Sequence, residues 1–180
     1  MSSVTTLVSL DQYLNTSYEP DMDFVDGILV KRNVGTQLHG RLQAILASYF
    51  LRYRKSHRIH VFTDTRLLVN TVTGRHRIPD VMVLALPYQR GKVVKDVPAI
   101  VIEIKSPDDT FDDILDRCFD YEKLGVANIL VMDPDYMRAW VFDHGDLRLL
   151  SGASLGLNVQ NTTLDLSFAE IFAELDESSD

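Results

Sequence analysis

The sequence contains one cysteine, no long apolar run, and fewer basic than acidic residues. Its single cysteine, Cys118, excludes an internal disulfide and offers no spacing typical of a zinc site. No apolar run approaches the roughly 20 residues that a transmembrane helix needs. Residues 1–10 lack the basic start and the apolar core of a secretory signal. We therefore expect a cytoplasmic protein with no membrane partner.

The length and composition are typical of one globular domain. The chain has 180 residues, of which 46% are hydrophobic and 24% are charged. A chain of this kind can enclose a full hydrophobic core. The expected organisation is a single domain over residues 1–180, with its core at about 22–172 and an acidic tail at 176–180.

The charge is distributed unevenly along the chain. The net charge of −8 argues against tight non-specific binding to nucleic acid, which needs many phosphate contacts. Residues 31–77, however, contain ten Lys or Arg and a single acid, Asp64, whereas the rest of the chain has 8 basic and 25 acidic residues. This asymmetry favours a local phosphate-attracting surface, although solvated helix and loop surface would give the same pattern. The candidates for phosphate contacts are Arg52, Arg54, Lys55, Arg58, Arg75 and Arg77.

Three ionisable residues interrupt two runs that are typical of buried β-strands. Residues 78–84 contain Asp80, and residues 99–105 contain Glu103 and Lys105. Burial of an unpaired ionisable group costs several kcal/mol of folding free energy, so such positions usually have a partner or a function. Because side chains alternate along a strand, Glu103 and Lys105 share one face, about 7 Å apart. If the Asp80 strand lies beside them, two carboxylates and one ammonium converge, which suits a hard divalent cation and an activated water.

Hydrophobic periodicity and turn residues predict the other elements. Apolar residues recur at helical spacing over 37–53, and Thr110 and Gly125 are suited to cap a helix over 111–124. Shorter helices are predicted at 9–14 and 167–175. Strands are predicted at 24–30 (a hairpin around Asp26-Gly27), 59–62, 66–70, 128–132, 138–142 and 146–150. The acidic residues around the 111–124 helix are interpreted as solvated surface: Asp109, Asp112, Asp113, Asp116 and Asp120.

The order Pro79-Asp80, spacer, Glu103-Ile104-Lys105 resembles the signature of the PD-(D/E)xK restriction-endonuclease-like nucleases. Flanking segments make the sequence similar to the Uma-type endonucleases over about residues 11–172. Those segments are 25–30, 103–107, 121–126 and 129–134, together with His39 near the start of the long helix. The resemblance implies an α/β fold: a restriction-endonuclease-like mixed central β-sheet flanked by helices, with additional β-hairpins.

The resemblance also implies metal-dependent hydrolysis of DNA phosphodiester bonds. Asp80 and Glu103 would ligate Mg²⁺, or Mn²⁺ as a substitute, with the backbone carbonyl of Ile104 as a further ligand. The metal would polarise the phosphate and lower the pKa of a bound water. Lys105 would orient or deprotonate that water, or balance the developing charge. A homodimer is expected, because cutting both strands is easier with two sites.

Two further residues occupy family-like positions. His39 would position a water or contact phosphate, and a structural histidine is an equally good interpretation. Arg117 stands where many members of the family carry a lysine that supports the site, and a surface salt bridge is the alternative.

Two other classes of function remain open. The first is a nuclease-like module that binds nucleic acid or protein without turnover, and the intact Asp80, Glu103 and Lys105 set argues against it. The second is a metal-dependent hydrolase of small phosphoesters. No helix-turn-helix or zinc module is recognisable, so any reading of base sequence would depend on loops.

Overall fold

The computed structural model describes residues 7–33 and 35–176. Its helices are α1 (Leu10–Leu14), α2 (Gln37–Arg52), α3 (Phe111–Leu124) and α4 (Phe168–Asp176). Its strands are β1 (Met22–Val25), β2 (Ile28–Lys31), β3 (Ile59–Thr63), β4 (Leu67–Asn70), β5 (Arg75–Arg77), β6 (Val81–Ala85), β7 (Ile100–Ile104), β8 (Asn128–Asp133), β9 (Arg138–Asp143), β10 (Asp146–Leu149), β11 (Ser154–Val159) and β12 (Thr162–Ser167).

The central sheet has six strands in the order β10-β9-β8-β7-β6-β3. Strands β7 and β8 are parallel and are connected through α3, whereas the other neighbours are antiparallel. A second sheet has the order β2-β1-β5-β4, and β11 and β12 form a separate hairpin. The predicted mixed α/β fold with additional hairpins is therefore confirmed.

The two faces of the central sheet pack against different elements. Val81 and Val83 belong to the core that α2, α4 and the β11–β12 hairpin complete. Met82 and Leu84 point the other way, into the core formed with α3 and β4. By the same alternation Glu103 lies on the α3 side, where it contacts α3. The face of the central sheet that carries the charged residues is therefore covered by α3.

Local signals explain the bounds of α3. Thr110 accepts a hydrogen bond from the Asp113 backbone N–H at 3.1 Å and caps the first turn. Gly125 ends the helix in the left-handed conformation, with φ of 96°, which glycine adopts without strain. The predicted helix over 111–124 is therefore confirmed at both ends.

The structure adds elements that the sequence analysis does not predict. Strand β5 and the β11–β12 hairpin are absent from the predicted set. The acidic residues around α3 are also not all solvated: the Asp109 and Asp120 side chains are each 7% exposed, because both are ion-paired with arginines. Of the predicted acidic tail, residues 177–180 lie outside the described residues. No helix within residues 7–33 and 35–176 is long and apolar enough to cross a membrane.

Candidate active site

Asp80 and Glu103 lie opposite each other at one end of the β6–β7 pair in the central sheet. Strands β6 and β7 are antiparallel neighbours, with Val81 opposite Ile102. One further residue of this register places Asp80 opposite Glu103. Both residues are buried: Asp80 is 2% exposed and Glu103 is 1% exposed. The Ile104 backbone N–H donates a hydrogen bond to Asp80 Oδ2 at 2.7 Å. The two carboxylates therefore lie on adjacent strands, as their convergence requires.

Asp80 is held by cationic side chains from β2 and α2. Arg32 Nη2 donates a hydrogen bond to Asp80 Oδ1, and His39 Nε2 lies 3.5 Å from Asp80 Oδ2. Thr36 caps α2 at the His39 backbone N–H, and Gln43 Nε2 donates to the Asp80 carbonyl at 2.9 Å. Burial of Asp80 alone would raise its pKa, but these partners outweigh burial and lower the pKa. Asp80 is therefore a carboxylate at neutral pH.

Glu103 has a different environment on the α3 side. Tyr121 Oη donates a hydrogen bond to Glu103 Oε1 at 2.5 Å. Arg117 Nε lies 3.0 Å from Glu103 Oε2, but the pair lacks hydrogen-bond geometry, so each atom is buried without a hydrogen-bond partner among the described residues. Burial raises the pKa of Glu103 to about 7, opposed by Arg117 and reinforced by Asp80. Oε2 thus has the Arg117 guanidinium beside it but accepts no well-aligned hydrogen bond from it.

The raised pKa of Glu103 makes the stability of the metal-free protein depend on pH. The folded-state pKa of about 7 exceeds the ordinary value of 4.5, so the folded protein holds this proton over a pH range in which the unfolded chain has lost it. The contribution is complete below pH 4.5 and is lost as the pH rises through 7, a change on the order of 3 kcal/mol.

We therefore expect Glu103→Gln to remove part of the loss of stability between pH 5 and pH 8, because glutamine does not titrate. Urea unfolding across this range, with metal chelated, measures the difference between the two slopes. Glu174, which is exposed on α4, supplies the matched control, and Glu174→Gln should leave the slope unchanged. Parallel slopes for wild type and Glu103→Gln would contradict the assigned pKa.

A cavity of about 20 Å³ separates the two carboxylates. This volume accommodates about one water-sized species. We call it the carboxylate cavity. Its lining residues are Arg32, Asn33, His39, Asp80, Glu103, Ile104, Ser106, Asp109 and Arg117.

The donor set of the carboxylate cavity fits a hard divalent cation. Mg²⁺ is usually bound through one or two carboxylates and several waters, and Asp80 and Glu103 both line this cavity. Within the described part of the chain, no three His, Cys, Asp or Glu side chains come together as a metal cluster.

Lys105 does not join the two carboxylates. Its ammonium lies 3.8 Å from Asp133 Oδ2, and Lys105 is not among the residues that line the carboxylate cavity. The strand ends at Ile104, so strand alternation no longer fixes the direction of the next side chain. The structure therefore does not bring this ammonium to the carboxylate cavity, and the catalytic role of Lys105 stays a prediction.

Arg117 is the cation that accompanies Glu103. Its guanidinium also lies 3.5 Å from Asp109 Oδ1, and the side chain is only 12% exposed. The surface salt bridge considered for Arg117 is thus replaced by a buried pair on the inner face of α3. In the sequence the position could be found only through the family resemblance, because nothing local relates it to Glu103.

The predicted phosphate contacts do not gather at this site. Arg75 and Arg77 are engaged with Asp120, at 2.9 and 2.7 Å, so their charges are already balanced. Arg52 is paired with Glu170 at 2.5 Å. The remaining candidates are exposed beyond the C-terminal end of α2, about 20 Å from its His39 end at 1.5 Å per residue: Arg54, Lys55 and Arg58.

A series of neighbouring depressions, which share lining residues and are together called the groove, leads away from the carboxylate cavity. A depression of about 370 Å³ shares Arg32 and Asp80 with the cavity. A second depression of about 510 Å³ shares Asp64 with the first, and a third of about 250 Å³ shares Lys92 with the second. The groove therefore runs from the carboxylates to the loop between β6 and β7.

That loop, residues 86–99, is called the basic loop. It carries Arg90, Lys92 and Lys95, which form no ion pair among the described residues. The acids of the groove are already paired, Asp64 with Arg32 and Asp21 with Arg66. The far end of the groove is therefore cationic on a chain whose net charge is −8.

Comparisons with known proteins agree with this architecture. A crystal structure described as "a putative nuclease belonging to DUF820", from Anabaena variabilis ATCC 29413, superposes with a TM-score of 0.78 at 19% identity, covering 93% of this chain and 99% of that chain. The cryo-EM structure of a DrdV–DNA complex aligns with a TM-score of 0.40 at 14% identity, covering 80% of this chain and 14% of that one. No curated protein matches. The profile of the family described as "Uma2: Putative restriction endonuclease" matches residues 10–169, and the chain belongs to this family.

Proposed function

We propose that this protein is a metal-dependent endonuclease that hydrolyses DNA phosphodiester bonds. The observation that carries the proposal is the pair of buried carboxylates on adjacent strands, Asp80 and Glu103, around an ion-sized cavity. Oε2 of Glu103 is buried beside the Arg117 guanidinium and accepts no hydrogen bond among the described residues, so it has lone pairs that a metal ion would share.

Asp80 and Glu103 would hold Mg²⁺ or Mn²⁺, with the Ile104 carbonyl as a third ligand. The metal would supply Lewis-acid activation of a water and of the scissile phosphate. Arg117 keeps Glu103 oriented and balances its charge, and Tyr121 fixes the other carboxylate oxygen. These contacts hold the carboxylates in place before substrate arrives, which limits the reorganisation that the reaction requires.

His39 is proposed to contact phosphate or a water at the mouth of the carboxylate cavity. Burial opposes protonation of the imidazole, but Asp80 outweighs burial and raises the pKa of His39. A positive imidazolium at this mouth favours an incoming anion. Gly35 leaves room for the ring, since a Cβ at that position would lie 2.7 Å from His39 Nδ1.

The nucleic acid is proposed to follow the groove from the carboxylate cavity to the basic loop. Phosphate contacts give most of the affinity in non-specific nucleic-acid binding, and Arg90, Lys92 and Lys95 have no acidic partner in the part of the chain that the structure describes. Arg90, Lys92 and Lys95 therefore take the place of Arg54, Lys55 and Arg58 as the proposed phosphate contacts.

A homodimer and a cytoplasmic location stay predictions from the sequence.

Replacing Arg90, Lys92 and Lys95 together with serine is expected to weaken DNA binding and to flatten its salt dependence. Each lost phosphate contact lowers the slope of log K against log salt by about 0.9 for duplex DNA, so the triple variant should lose about 2–3. Fluorescence anisotropy with labelled duplex, in a chelator to prevent cleavage, measures both quantities. The control replaces Arg54, Lys55 and Arg58 with serine. If DNA binding weakened only in this control variant, the DNA would instead lie near the C-terminal end of α2.

The experiment that tests the proposed function is cleavage of supercoiled plasmid by the purified protein. Nicking is expected with Mg²⁺ or Mn²⁺ and should stop when the metal is chelated. Cleavage that persists in chelator would overturn the metal-dependent function.

A second candidate is a nuclease-like module that binds nucleic acid or protein without turnover. The position of Lys105 favours it, because the ammonium is engaged with Asp133 rather than with the carboxylate cavity. DNA binding without cleavage across metals and substrates would select this candidate.

A further inference from the structure

Arg32 connects the carboxylate cavity to the groove. It follows β2, and its guanidinium contacts two acids at once: Nη2 donates to Asp80 Oδ1, and Nη1 lies 3.4 Å from Asp64 Oδ1. Arg32 lines both the cavity and the adjoining 370 Å³ depression. With 16% of its side chain exposed, it is mostly buried but reaches the surface where a substrate would enter.

The contact with Arg32 occupies the oxygen that a metal would need. Asp80 Oδ2 already accepts the Ile104 N–H at 2.7 Å and lies 3.5 Å from His39. The other oxygen, Oδ1, accepts from Arg32. A divalent cation beside Oδ1 would also meet the positive guanidinium at close range, and such repulsion is strong in a buried site. Arg32 and the metal therefore compete for one carboxylate.

The size of the carboxylate cavity supports the same conclusion. Mg²⁺ is dehydrated reluctantly and usually keeps several waters, whereas about 20 Å³ accommodates about one water-sized species. Movement of Arg32 toward the groove would both enlarge the cavity and release Oδ1. Asp64 lies on the groove side, where it can retain the guanidinium after the contact with Asp80 is broken.

We infer that Arg32 is a catalytic residue that changes partner, from Asp80 in the metal-free protein to a substrate phosphate when metal is bound. The inference deepens the proposed function and rests on it. Arginine presents two parallel N–H donors that match phosphate oxygens, and the groove that Arg32 lines leads to the basic loop.

The charges of the carboxylate cavity fit this exchange. Two guanidinium groups and three carboxylates line it, those of Arg32, Arg117, Asp80, Glu103 and Asp109. Without His39 these five groups sum to −1, and one divalent cation with one phosphodiester anion adds +1. The loaded site is then neutral, or carries +1 with the imidazolium of His39, without loss of Arg32 from its mouth.

Arg32→Gln gives the decisive test, because the two consequences have opposite signs. Without nucleic acid, isothermal titration should show Mn²⁺ binding about tenfold or more tighter than in wild type, since a charge-assisted competitor is gone. At saturating Mn²⁺, plasmid cleavage should be about 100-fold slower, since a donor to the phosphate is lost. A residue with a merely structural role would weaken both.

The neighbouring Lys31 supplies the matched control, because it is exposed and is the last residue of β2, directly before Arg32. Lys31→Gln removes the same charge and should leave both quantities within about twofold. Arg32→Lys keeps the charge, so it guards against a variant that fails to fold, and it should raise Mn²⁺ affinity less while cleaving more slowly than wild type.

The outcomes separate this inference from the proposed function. If wild type cleaves with Mn²⁺ but Arg32→Gln binds Mn²⁺ no tighter, or cleaves at the wild-type rate, the exchange of partners is refuted and the nuclease stands. If wild type neither binds Mn²⁺ nor cleaves with it, the proposed function and this inference are both overturned.

Discussion

Asp80→Asn is expected to slow metal-dependent plasmid cleavage by at least about 100-fold. Substitution of residues that only support metal ligands typically costs 10–100-fold in metal affinity or activity, so loss of a ligand should cost more. The substitution also leaves Arg32 and His39 facing a neutral amide. Two cationic groups without their counter-ion would then oppose entry of a divalent cation. Mn²⁺ titration should therefore lose its binding signal together with the activity.

Single-turnover cleavage of supercoiled plasmid at saturating Mn²⁺ measures this effect, with circular dichroism to verify folding. Asp108, exposed in the loop before α3, is the matched control, and Asp108→Asn should cleave at the wild-type rate. Equal nicking by wild type and Asp80→Asn would assign the activity to a contaminant.

Lys105→Ala belongs in the same experiment. Because the Lys105 ammonium faces Asp133, its loss should cost less than the roughly 100-fold minimum expected of a general acid or base. A loss as large as that of Asp80→Asn would mean that the ammonium leaves Asp133 during the reaction. The role predicted for Lys105 from the sequence would then be restored.

The carboxylate pair could be predicted because its signals are local. An ionisable residue inside an apolar strand is visible in the sequence, and strand alternation identifies the face it occupies. The ends of α3 could be predicted in the same way, from the capping residues Thr110 and Gly125. In each case the residues that determine the structure are neighbours in the chain.

Other features of the site depend on contacts between distant residues. Arg32 lies 48 residues before Asp80, and no periodicity relates the two positions. Gln43 and Asp109 were also missed as parts of the site for this reason. The direction of the Lys105 side chain has a different cause: the pattern placed the residue near the end of a strand, but its acidic neighbour, Asp133, comes from another strand.

The missed β11–β12 hairpin had a usable signal. Leu155, Leu157 and Val159 alternate with other residues, as do Leu164 and Leu166 after the turn, and the inner members are buried. Such alternation is the ordinary indication of a half-buried strand. The hairpin covers the core beneath α2 and α4, so its omission left the sheet face that supports α2 undefined.

Arg75 and Arg77 show why a cluster of basic residues is weak support for phosphate binding. Each arginine looks available in the sequence, because its acidic partners are more than 40 residues away along the chain. In the fold, Arg77 contacts Asp120 at 2.7 Å and Asp23 at 3.1 Å. These charges hold β1 and β5 against α3 and are unavailable to a ligand.

This network leads to the largest expected change in stability. Arg77→Met should lower the free energy of unfolding by about 3–5 kcal/mol, the usual cost of removing one member of a buried ion pair. The arginine side chain is 6% exposed, and those of Asp23 and Asp120 are 2% and 7% exposed. Its removal would leave two buried carboxylates with much less compensation. Asp120 would keep Arg75, which also pairs with Asp26, and Asp23 would keep the Ile78 N–H at 3.0 Å.

Urea unfolding at pH 7 measures the change, and Arg54→Met, at an exposed position without an ion pair, serves as the control. The double variant Arg77→Met with Asp120→Asn should recover part of the loss, because it removes one of the uncompensated charges as well. A loss below about 1 kcal/mol for Arg77→Met would be typical of a solvated pair, and β5 would then not depend on this contact. Since Ile78 and Pro79 connect β5 directly to Asp80, a proposed metal ligand, the expected loss also predicts weaker metal binding in the variant. The arginine that was a candidate for binding DNA instead holds the strand that leads to Asp80.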